Sequence, residues 1–396
     1  MTAASSRLGL CLLAAAFLLS ASACAHSNAP PVHGEVEDLN DGIAVSSMRS
    51  EGLDETMIRE GIEAIRRGAY GNIHSLLIFR HGRLVSESYF PGEDEDNHNG
   101  SIGFVLHSRD TLHDMRSVSK TVVALALLLA HEQGYIRSLD QPIFDYFPEY
   151  AQRHANSGKE QITIRHALTM TAGLDWNEDV PFSHPDSSPA QLGDAPDPID
   201  FVLGRRLVAP PGGIFTYNGG LTQILAAIIH RSTGRNVEEF TREHLFSPLG
   251  IQGLEWAKRR DGEPDADSGL RLRSRDMAKI GLLLANRGNW AGRQILSSRL
   301  VEEAVSEHVD IPQQGEAAAL GDRQGYGYQI WRFSFLAGEE RIDLTELSGN
   351  GGQKVYMDEA NQLMVVITAG NYDRRGLPKS PFDVYAEIVL PAVMGR

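Results

Sequence analysis

One helix constrains the fold of this chain more than any other feature of its sequence. Residues 118 to 133 have the length and spacing of a helix, and the stretch from 122 to 130 is apolar on almost every face before Gly134 ends it. A helix that is apolar all round must be covered by other elements. We therefore predict a large core around it, which 396 residues with 42% hydrophobic content can form.

The patterns on either side of this helix predict an α+β fold. Strand patterns occupy 75–90, which has the form of a hairpin turning at Gly82, and then 326–335, 341–347, 353–358 and 363–369. Helical patterns occupy 57–67, 162–171, 191–207, 221–232, 237–246, 275–287 and 381–394. We predict one domain over 57–396, with a mostly helical lobe inserted at about 135–290.

The acidic segment 92–100 is predicted to be an exposed loop. It holds His98 beside several carboxyl groups, so a metal site is the alternative, but the ordered ligand spacing of such a site is absent. We expect neither a metal nor a cofactor. The formal net charge of −15 comes without a basic stripe, so nucleic acid is not an expected partner.

Residues 1–23 have the composition of a secretory signal. Arg7 is followed by an apolar run and then by small residues up to Cys24. Cys24 in this setting resembles a bacterial lipoprotein processing site, and cleavage after Ala25 without lipidation is the alternative. We expect an exported protein, either periplasmic or held at a bacterial membrane by a lipid on Cys24, with 24–56 as an N-terminal tether.

Ser117 and Lys120 lie at the start of the central helix, three residues apart. Helical spacing puts both side chains on one face, and a serine hydroxyl needs a neighbouring base to become a nucleophile. Lys120 can serve once partial burial lowers its pKa. Among the six lysines of the chain, it is the one that follows a serine by three positions. The alternative is that Ser117 caps the helix and Lys120 is a surface charge.

Two further segments are candidates for the same chemistry. Tyr217 follows a Gly/Pro-rich loop and precedes a helical pattern, and a phenol can act as a base beside a cation such as Lys120. On its own, Tyr217 is better read as a packing residue. Residues 347–353 lie between two strand patterns, and their glycines allow a substrate to approach free N–H groups that can hold an oxyanion.

In order and spacing, these segments resemble the three motifs of serine β-lactamases and penicillin-binding proteins, Ser-x-x-Lys, Tyr/Ser-x-Asn and Lys-Thr-Gly. The match is best with the class C β-lactamase-like family, which includes peptidases, esterases and amino-hexanoate oligomer hydrolases. It extends from about residue 73 to the C-terminus, including 164–174 and 326–331. It implies a β-lactamase-like fold, with an antiparallel sheet flanked by helices.

The resemblance implies a role for each candidate residue. Ser117 is the acylated nucleophile, Lys120 is its proton partner and Tyr217 delivers a proton to the leaving group. Asn350, Gly351, Gly352 and Gln353 form the substrate-binding strand edge, where the N–H groups of Ser117 and Gln353 hold the oxyanion.

Two residues depart from the family pattern and bear on the substrate. Gly219 replaces the Asn of the second motif, and Asn350 replaces the Lys or His of the third. The expected function is hydrolysis of a small-molecule or short-peptide ester or amide, with weak β-lactamase activity at most. Two alternatives remain, a penicillin- or peptide-recognising envelope sensor without turnover and a degenerate homologue with a structural role.

Overall fold

An eight-stranded antiparallel sheet runs through the centre of the structure, a computed structural model that describes residues 36–313, 322–374 and 377–394. The predicted signal segment and Cys24 lie outside these residues. The sheet strands are β1 (Ile73–Arg80), β2 (Arg83–Tyr89), β10 (Val309–Ile311), β11 (Arg323–Tyr326), β12 (Trp331–Ala337), β13 (Glu340–Gly349), β14 (Gln353–Asp358) and β15 (Leu363–Ala369). Their order across the sheet is β10-β11-β12-β13-β14-β15-β1-β2, so strands from both ends of the chain meet where β15 pairs with β1.

Three small sheets supply the remaining strands. They are formed by β3 (Gly92–Asp96) with β4 (Gly100–Val105), by β5 (His113–Asp114) with β7 (Leu270–Leu272) and β6 (Glu255–Trp256), and by β8 (Asn289–Trp290) with β9 (Arg293–Gln294). The prediction of an exposed loop over 92–100 is therefore wrong. This segment supplies β3 and the turn to β4, and alternation in β3 buries Asp94 while Glu93 stays exposed.

The helices cover both faces of the sheet. They are α1 (Glu55–Arg66), α2 (Val118–Glu132), α3 (Pro148–Ala151), α4 (Ile164–Leu168), α5 (Ser188–Asp194), α6 (Pro198–Gly204), α7 (Gly219–Thr233), α8 (Val237–Thr241), α9 (Ser274–Ala285), α10 (Ser298–Val305), α11 (Pro381–Val384) and α12 (Leu390–Met394). Short 3-10 turns occupy Ile143–Asp145, Gln152–His154 and Lys159–Gln161, and π turns occupy Arg242–Phe246 and Tyr385–Val389. The α+β prediction, with an antiparallel sheet flanked by helices, is confirmed.

The central helix α2 lies in the larger of two cores. Its residues 118–130 are all buried, and it packs against β13 on one side and α7 on the other. The second core lies on the opposite face of the sheet, where α1 packs on the C-terminal π turn and α12. Burial on every side is what an all-apolar helix requires.

Two helical patterns between 135 and 290 form shorter helices than the sequence predicts, whereas α7 is longer than the predicted 221–232. The pattern over 191–207 forms α5 and α6, because Pro198 begins a new helix capped by the side chain of Asp197. The pattern over 162–171 keeps helical geometry only in α4, since Met170 takes a left-handed conformation with φ of +57°. None of the helices within the described ranges is long and apolar enough to cross a membrane.

Candidate active site

Ser117 lies at the N-terminal end of α2, with its side chain turned toward Lys120. The Lys120 Nζ atom donates a hydrogen bond to Ser117 Oγ over 3.1 Å. Within the described part of the chain, the Ser117 hydroxyl makes no capping bond to the helix. The side chain is half-buried. The hydroxyl is therefore positioned to react at the N-terminal end of the helix.

The turn before Ser117 is strained and clamped. Arg116 has a φ of +48°, which costs a residue with a side chain roughly 1 kcal/mol or more. Its guanidinium binds Glu95 at 2.7 Å and Asp114 at 3.2 Å, and it lies 4.3 Å from the ring centre of Tyr372. These contacts hold the turn in a conformation that the local sequence alone does not favour.

Lys120 is buried among oxygen atoms. Its side chain is 2% exposed, and Nζ lies 3.1 Å from the carbonyl oxygen of Asp267, 3.4 Å from Asp267 Oδ2 and 3.6 Å from Glu178 Oε1. Burial alone would lower the pKa of Lys120, but Tyr217 and then Glu178 act in the opposite direction and raise it overall. The expectation of a lowered Lys120 pKa is wrong, because the surrounding oxygens stabilise the ammonium form.

Tyr217 lies beside the same ammonium group. Lys120 Nζ is 5.1 Å from the centre of the Tyr217 ring, and the ring stacks on Trp331 with centroids 5.6 Å apart. Burial raises the pKa of Tyr217, and the charge of Lys120 offsets this only in part. The Ser117 hydroxyl, like the charge of Lys120, acts to lower the pKa of the phenol. The resting phenol is therefore neutral and lies beside the ammonium group that binds the nucleophile.

Two carboxyl groups that sequence reasoning missed complete this group. Glu178 Oε2 accepts hydrogen bonds from the Trp176 indole at 2.7 Å and from the Gly219 amide at 2.8 Å. Asp267 Oδ1 accepts from Gln223 at 2.8 Å. Neither residue has a spacing signal, because the two lie in separate turns that meet only in the folded chain.

Gly219 leaves room for Asp267 where the family pattern has Asn. A Cβ atom at this position would lie 2.6 Å from Asp267 Oδ2, which is shorter than the distances between Cβ atoms and neighbouring atoms in proteins. The space that a side chain would need is occupied by a carboxyl group directed at Lys120. The departure in the second motif and the presence of Asp267 are therefore one structural feature.

The 350–353 turn lies close to the nucleophile. Gly349, at the end of β13, comes so near the turn before α2 that its added Cβ would lie 2.4 Å from the Met115 carbonyl oxygen. Gly352 donates its amide to Gly349 at 3.2 Å, and the Gly351 carbonyl accepts from Asn371 at 3.0 Å. Gln353 is fully buried, and its side-chain amide donates to the carbonyl oxygens of Asn350 at 3.0 Å and Ala369 at 2.8 Å.

Asn350 is the exposed member of this turn. Its amide donates to Asp373 Oδ1 at 2.7 Å, and its Oδ1 accepts from the Asp373 amide at 3.1 Å. Lys354, a nearby cation, instead binds Glu346 and donates to Ser348 Oγ at 2.7 Å. The charge of Lys354 is already paired and does not replace a cationic third motif.

Comparison with known protein families shows which family the chain belongs to. The Beta-lactamase family model matches residues 56–379. The chain belongs to the β-lactamase family. It is 29% identical to Esterase EstB of Burkholderia gladioli over 211 residues, and 24% identical to the 6-aminohexanoate-dimer hydrolase of Paenarthrobacter ureafaciens over 269 residues. The alignments cover 49% and 65% of this chain, and 51% and 66% of the two relatives. This chain therefore spans less than two thirds of the length of each relative.

Solved structures agree on the fold. An octameric penicillin-binding protein homologue from Pyrococcus abyssi superposes with a TM-score of 0.62 at 19% identity, covering 86% of this chain and 77% of its own. At this identity the likeness concerns the fold alone. The two curated relatives are named as an esterase and a hydrolase of the 6-aminohexanoate dimer.

Proposed function

We propose that this chain is a serine hydrolase of the Ser-x-x-Lys type that forms an acyl-enzyme on Ser117 and hydrolyses an ester or amide. The 3.1 Å contact between Ser117 Oγ and Lys120 Nζ carries the proposal. A hydroxyl, a buried ammonium and a phenol meet at the start of one helix, which is the arrangement that nucleophilic catalysis by serine requires. Family membership supports the same chemistry.

Acylation begins with attack of Ser117 Oγ on the carbonyl carbon. The serine proton passes to the oxygen of Tyr217, and the phenolic proton passes to the leaving oxygen or nitrogen. The bond to Ser117 forms, the bond to the leaving group breaks, and a neutral alcohol or amine departs. Lys120 keeps its protons and stabilises the negative charge that develops on the phenolic oxygen.

Deacylation uses the same residues in reverse. Water attacks the acyl carbon and gives a proton to Tyr217, which returns its own proton to Ser117 Oγ as the ester bond breaks. The acid product leaves and the resting hydroxyl is restored. In this scheme Glu178 and Asp267 keep Lys120 charged in both steps.

The departures at Gly219 and Asn350 favour neutral or small acyl substrates. In related β-lactamases and peptidases, a cationic third motif helps to hold the substrate carboxylate, and the second-motif Asn binds its amide. Here Asn350 is bound to Asp373, and Lys354 is paired with Glu346. We propose weak β-lactam hydrolysis and better activity on small esters and amides.

Time-resolved mass spectrometry with a short-chain p-nitrophenyl ester tests the proposal. The peptide that contains Ser117 should gain the acyl mass within the dead time and lose it as p-nitrophenol turnover continues. An adduct that persists without turnover would instead identify an envelope sensor. Turnover without any adduct on this peptide would contradict the proposal.

We further propose that the chain is exported and anchored by a lipid on Cys24, with 24–56 as the tether. The proposal rests on the signal-like composition of 1–23 and the small residues before Cys24. Cells fed a labelled fatty acid should label the wild type and not Cys24→Ser. Recovery of the unlabelled wild type in the periplasmic fraction would contradict anchoring.

A further inference from the structure

A second polar cluster is buried next to the turn that carries Ser117. Its centre is formed by His74 on β1, Asp94 on β3 and His113 on β5, whose ligand atoms lie within 4.8 Å of one another. His107, after β4, lies beside Asp94, and we call the four residues the histidine cluster. All four side chains are at most 3% exposed. None of them takes part in the proposed catalysis, so their burial needs another explanation.

The ligand atoms of the histidine cluster converge on one point. His74 Nδ1 lies 2.9 Å from His113 Nε2, and Asp94 Oδ1 lies 4.0 Å from the first atom and 3.7 Å from the second. Two ligands at about 2.0 Å from a tetrahedral zinc ion are roughly 3.3 Å apart. The observed separations bracket that value, so one ion can reach all three atoms after small side-chain adjustments.

His107 supplies a fourth donor with an unused nitrogen. Its Nε2 is buried and has no hydrogen-bond partner among the described residues, although Asp94 Oδ2 is only 3.9 Å away. That separation is too long for a hydrogen bond and leaves room for an ion between the two atoms. A buried nitrogen without a partner costs free energy, which a bound cation would recover.

The contacts behind the ligand atoms already orient two of them. His113 Nδ1 lies 3.1 Å from the Asp114 carbonyl oxygen and donates to it, which leaves the lone pair on Nε2 facing the cluster. Asp94 Oδ1 accepts from the Tyr372 hydroxyl at 2.9 Å and from the Glu95 amide at 2.9 Å. Hydrogen bonds of this kind fix ligand orientation around metals in proteins.

We propose that His74, Asp94, His107 and His113 bind a divalent transition-metal ion of the Zn²⁺ type. Three imidazoles and one carboxyl group are donors that suit zinc and its neighbours rather than Ca²⁺ or Mg²⁺, which prefer oxygen.

The site is structural, and its position indicates which elements of the fold it holds together. The hairpin of β3 and β4 has two strands, and such a hairpin is marginally stable alone. Asp94 lies in the middle of its first strand and His107 just after its second. His74 comes from the main sheet and His113 from the strand that leads to Ser117. An ion here would tie the hairpin to the sheet and to the nucleophile turn.

The backbone of β1 is adapted to this position. The pairing of β1 with β15 shifts by one residue between Ile73 and Ser75, so His74 is the extra residue of a β-bulge. A bulge redirects one side chain out of the regular alternation. The bulge therefore helps bring the His74 ring to His113 and Asp94.

Metal titration of the full-length chain, purified without a polyhistidine tag and stripped with a chelator, tests the site. We expect one Co²⁺ per chain with visible absorption of a four- or five-coordinate ion, displaced by Zn²⁺. Saturating Zn²⁺ should raise the thermal midpoint by about 3 °C or more. Zinc-edge X-ray absorption of the wild type should show imidazole scattering. Failure to bind a stoichiometric ion would overturn the proposal.

Variants locate the ion. His107→Ala should weaken Co²⁺ binding at least about tenfold, while His98→Ala should leave it unchanged, because His98 contacts Asp265 at 2.8 Å on the outer part of the same hairpin. Loss of binding in His98→Ala with retention in His107→Ala would place the ion on the hairpin surface and overturn the assignment. If His107→Ala does not fold, the X-ray absorption of the wild type still decides between imidazole and oxygen ligands.

Discussion

The catalytic group and the histidine cluster are two buried polar assemblies that meet the two ends of one short segment, 113–117, and they differ in charge. The catalytic group places the Lys120 ammonium among a phenol and two carboxyl groups, and its nucleophile reaches the surface. The histidine cluster holds three imidazoles and one carboxyl group and is sealed from solvent. One assembly suits proton transfer, and the other suits binding of a cation.

The two assemblies also differ in how the sequence encodes them. Ser117 and Lys120 are brought together by one helical turn, so their spacing is visible in the chain. The ligands of the histidine cluster lie at 74, 94, 107 and 113, on four segments that meet only through the fold. Local geometry can be predicted from spacing, whereas a bulge and a hairpin crossing cannot.

The largest expected effect separates the two assemblies. Ser117→Ala removes one oxygen at the helix mouth, so turnover of a short-chain ester should fall at least about 10³-fold and fluorophosphonate labelling should be lost. Co²⁺ binding and the thermal midpoint should stay at wild-type values, because the histidine cluster lies outside the change. Residual turnover near the wild-type rate would refute the nucleophile assignment.

Tyr217→Phe tests whether the phenol handles protons or only packs. Loss of a proton-transfer group should lower kcat at least about 10²-fold with little change in KM. The matched control is Tyr326→Phe, since Tyr326 is a buried tyrosine whose ring lies 6.4 Å from that of Tyr217. Equal activity of the two variants would return Tyr217 to the class of packing residues.

Much of the fold was accessible from the sequence because hydrophobic periodicity reports burial. The apolar stretch of α2, the strands after residue 326 and the hairpin of β1 and β2 follow directly from it. The acidic pattern of β3 led to a wrong prediction, because it indicated an exposed loop. In the structure the carboxyl group of Asp94 is buried and held by tertiary contacts rather than by water. Glu178 and Asp267 were missed for the same reason.

Asp267→Asn probes the part of the catalytic group that the sequence did not reveal. Burial, and then the charge of Asp265, raise the pKa of Asp267 to about 6. The carboxylate that supports Lys120 is therefore present above pH 6 and lost below it. Wild-type kcat/KM should fall at acid pH with an apparent pKa near 6. Asp267→Asn should not show this fall, and its kcat/KM at pH 8 should be about tenfold below the wild-type value. Asp261→Asn, in a nearby exposed turn, should keep the wild-type profile.

Stability should move in the opposite direction from activity in the same variant. The folded-state pKa of Asp267 lies above its unfolded value of 3.8, so its contribution to stability is present below pH 3.8 and lost as the pH rises through 6. Removing the charge should therefore make Asp267→Asn gain stability relative to the wild type in urea unfolding as the pH rises from 3.8 to about 6, and this advantage should stay constant above that range. A variant that loses relative stability over this range would show that the Asp267 carboxylate is compensated by Lys120.

The smallest effect concerns Asn350, where the chain departs from its family. Asn350→Ala removes an exposed side chain bound to Asp373, so kcat/KM for a short-chain ester should change less than about threefold. Asn350→Lys supplies a cation at the strand edge, and a hydrogen bond to a charged group contributes about 1.5 to 3 kcal/mol.

Because Asp373 would neutralise part of the new charge in Asn350→Lys, the variant should be combined with Asp373→Asn. We expect the pair to raise cephalosporin kcat/KM about tenfold while the ester value stays within threefold. Gly219 limits the gain, since the amide-binding side chain of the second motif is still absent and the space is held by Asp267. A wild-type cephalosporin kcat/KM well above the ester value would contradict this reasoning, because it would show that the carboxylate is held without a cationic third motif.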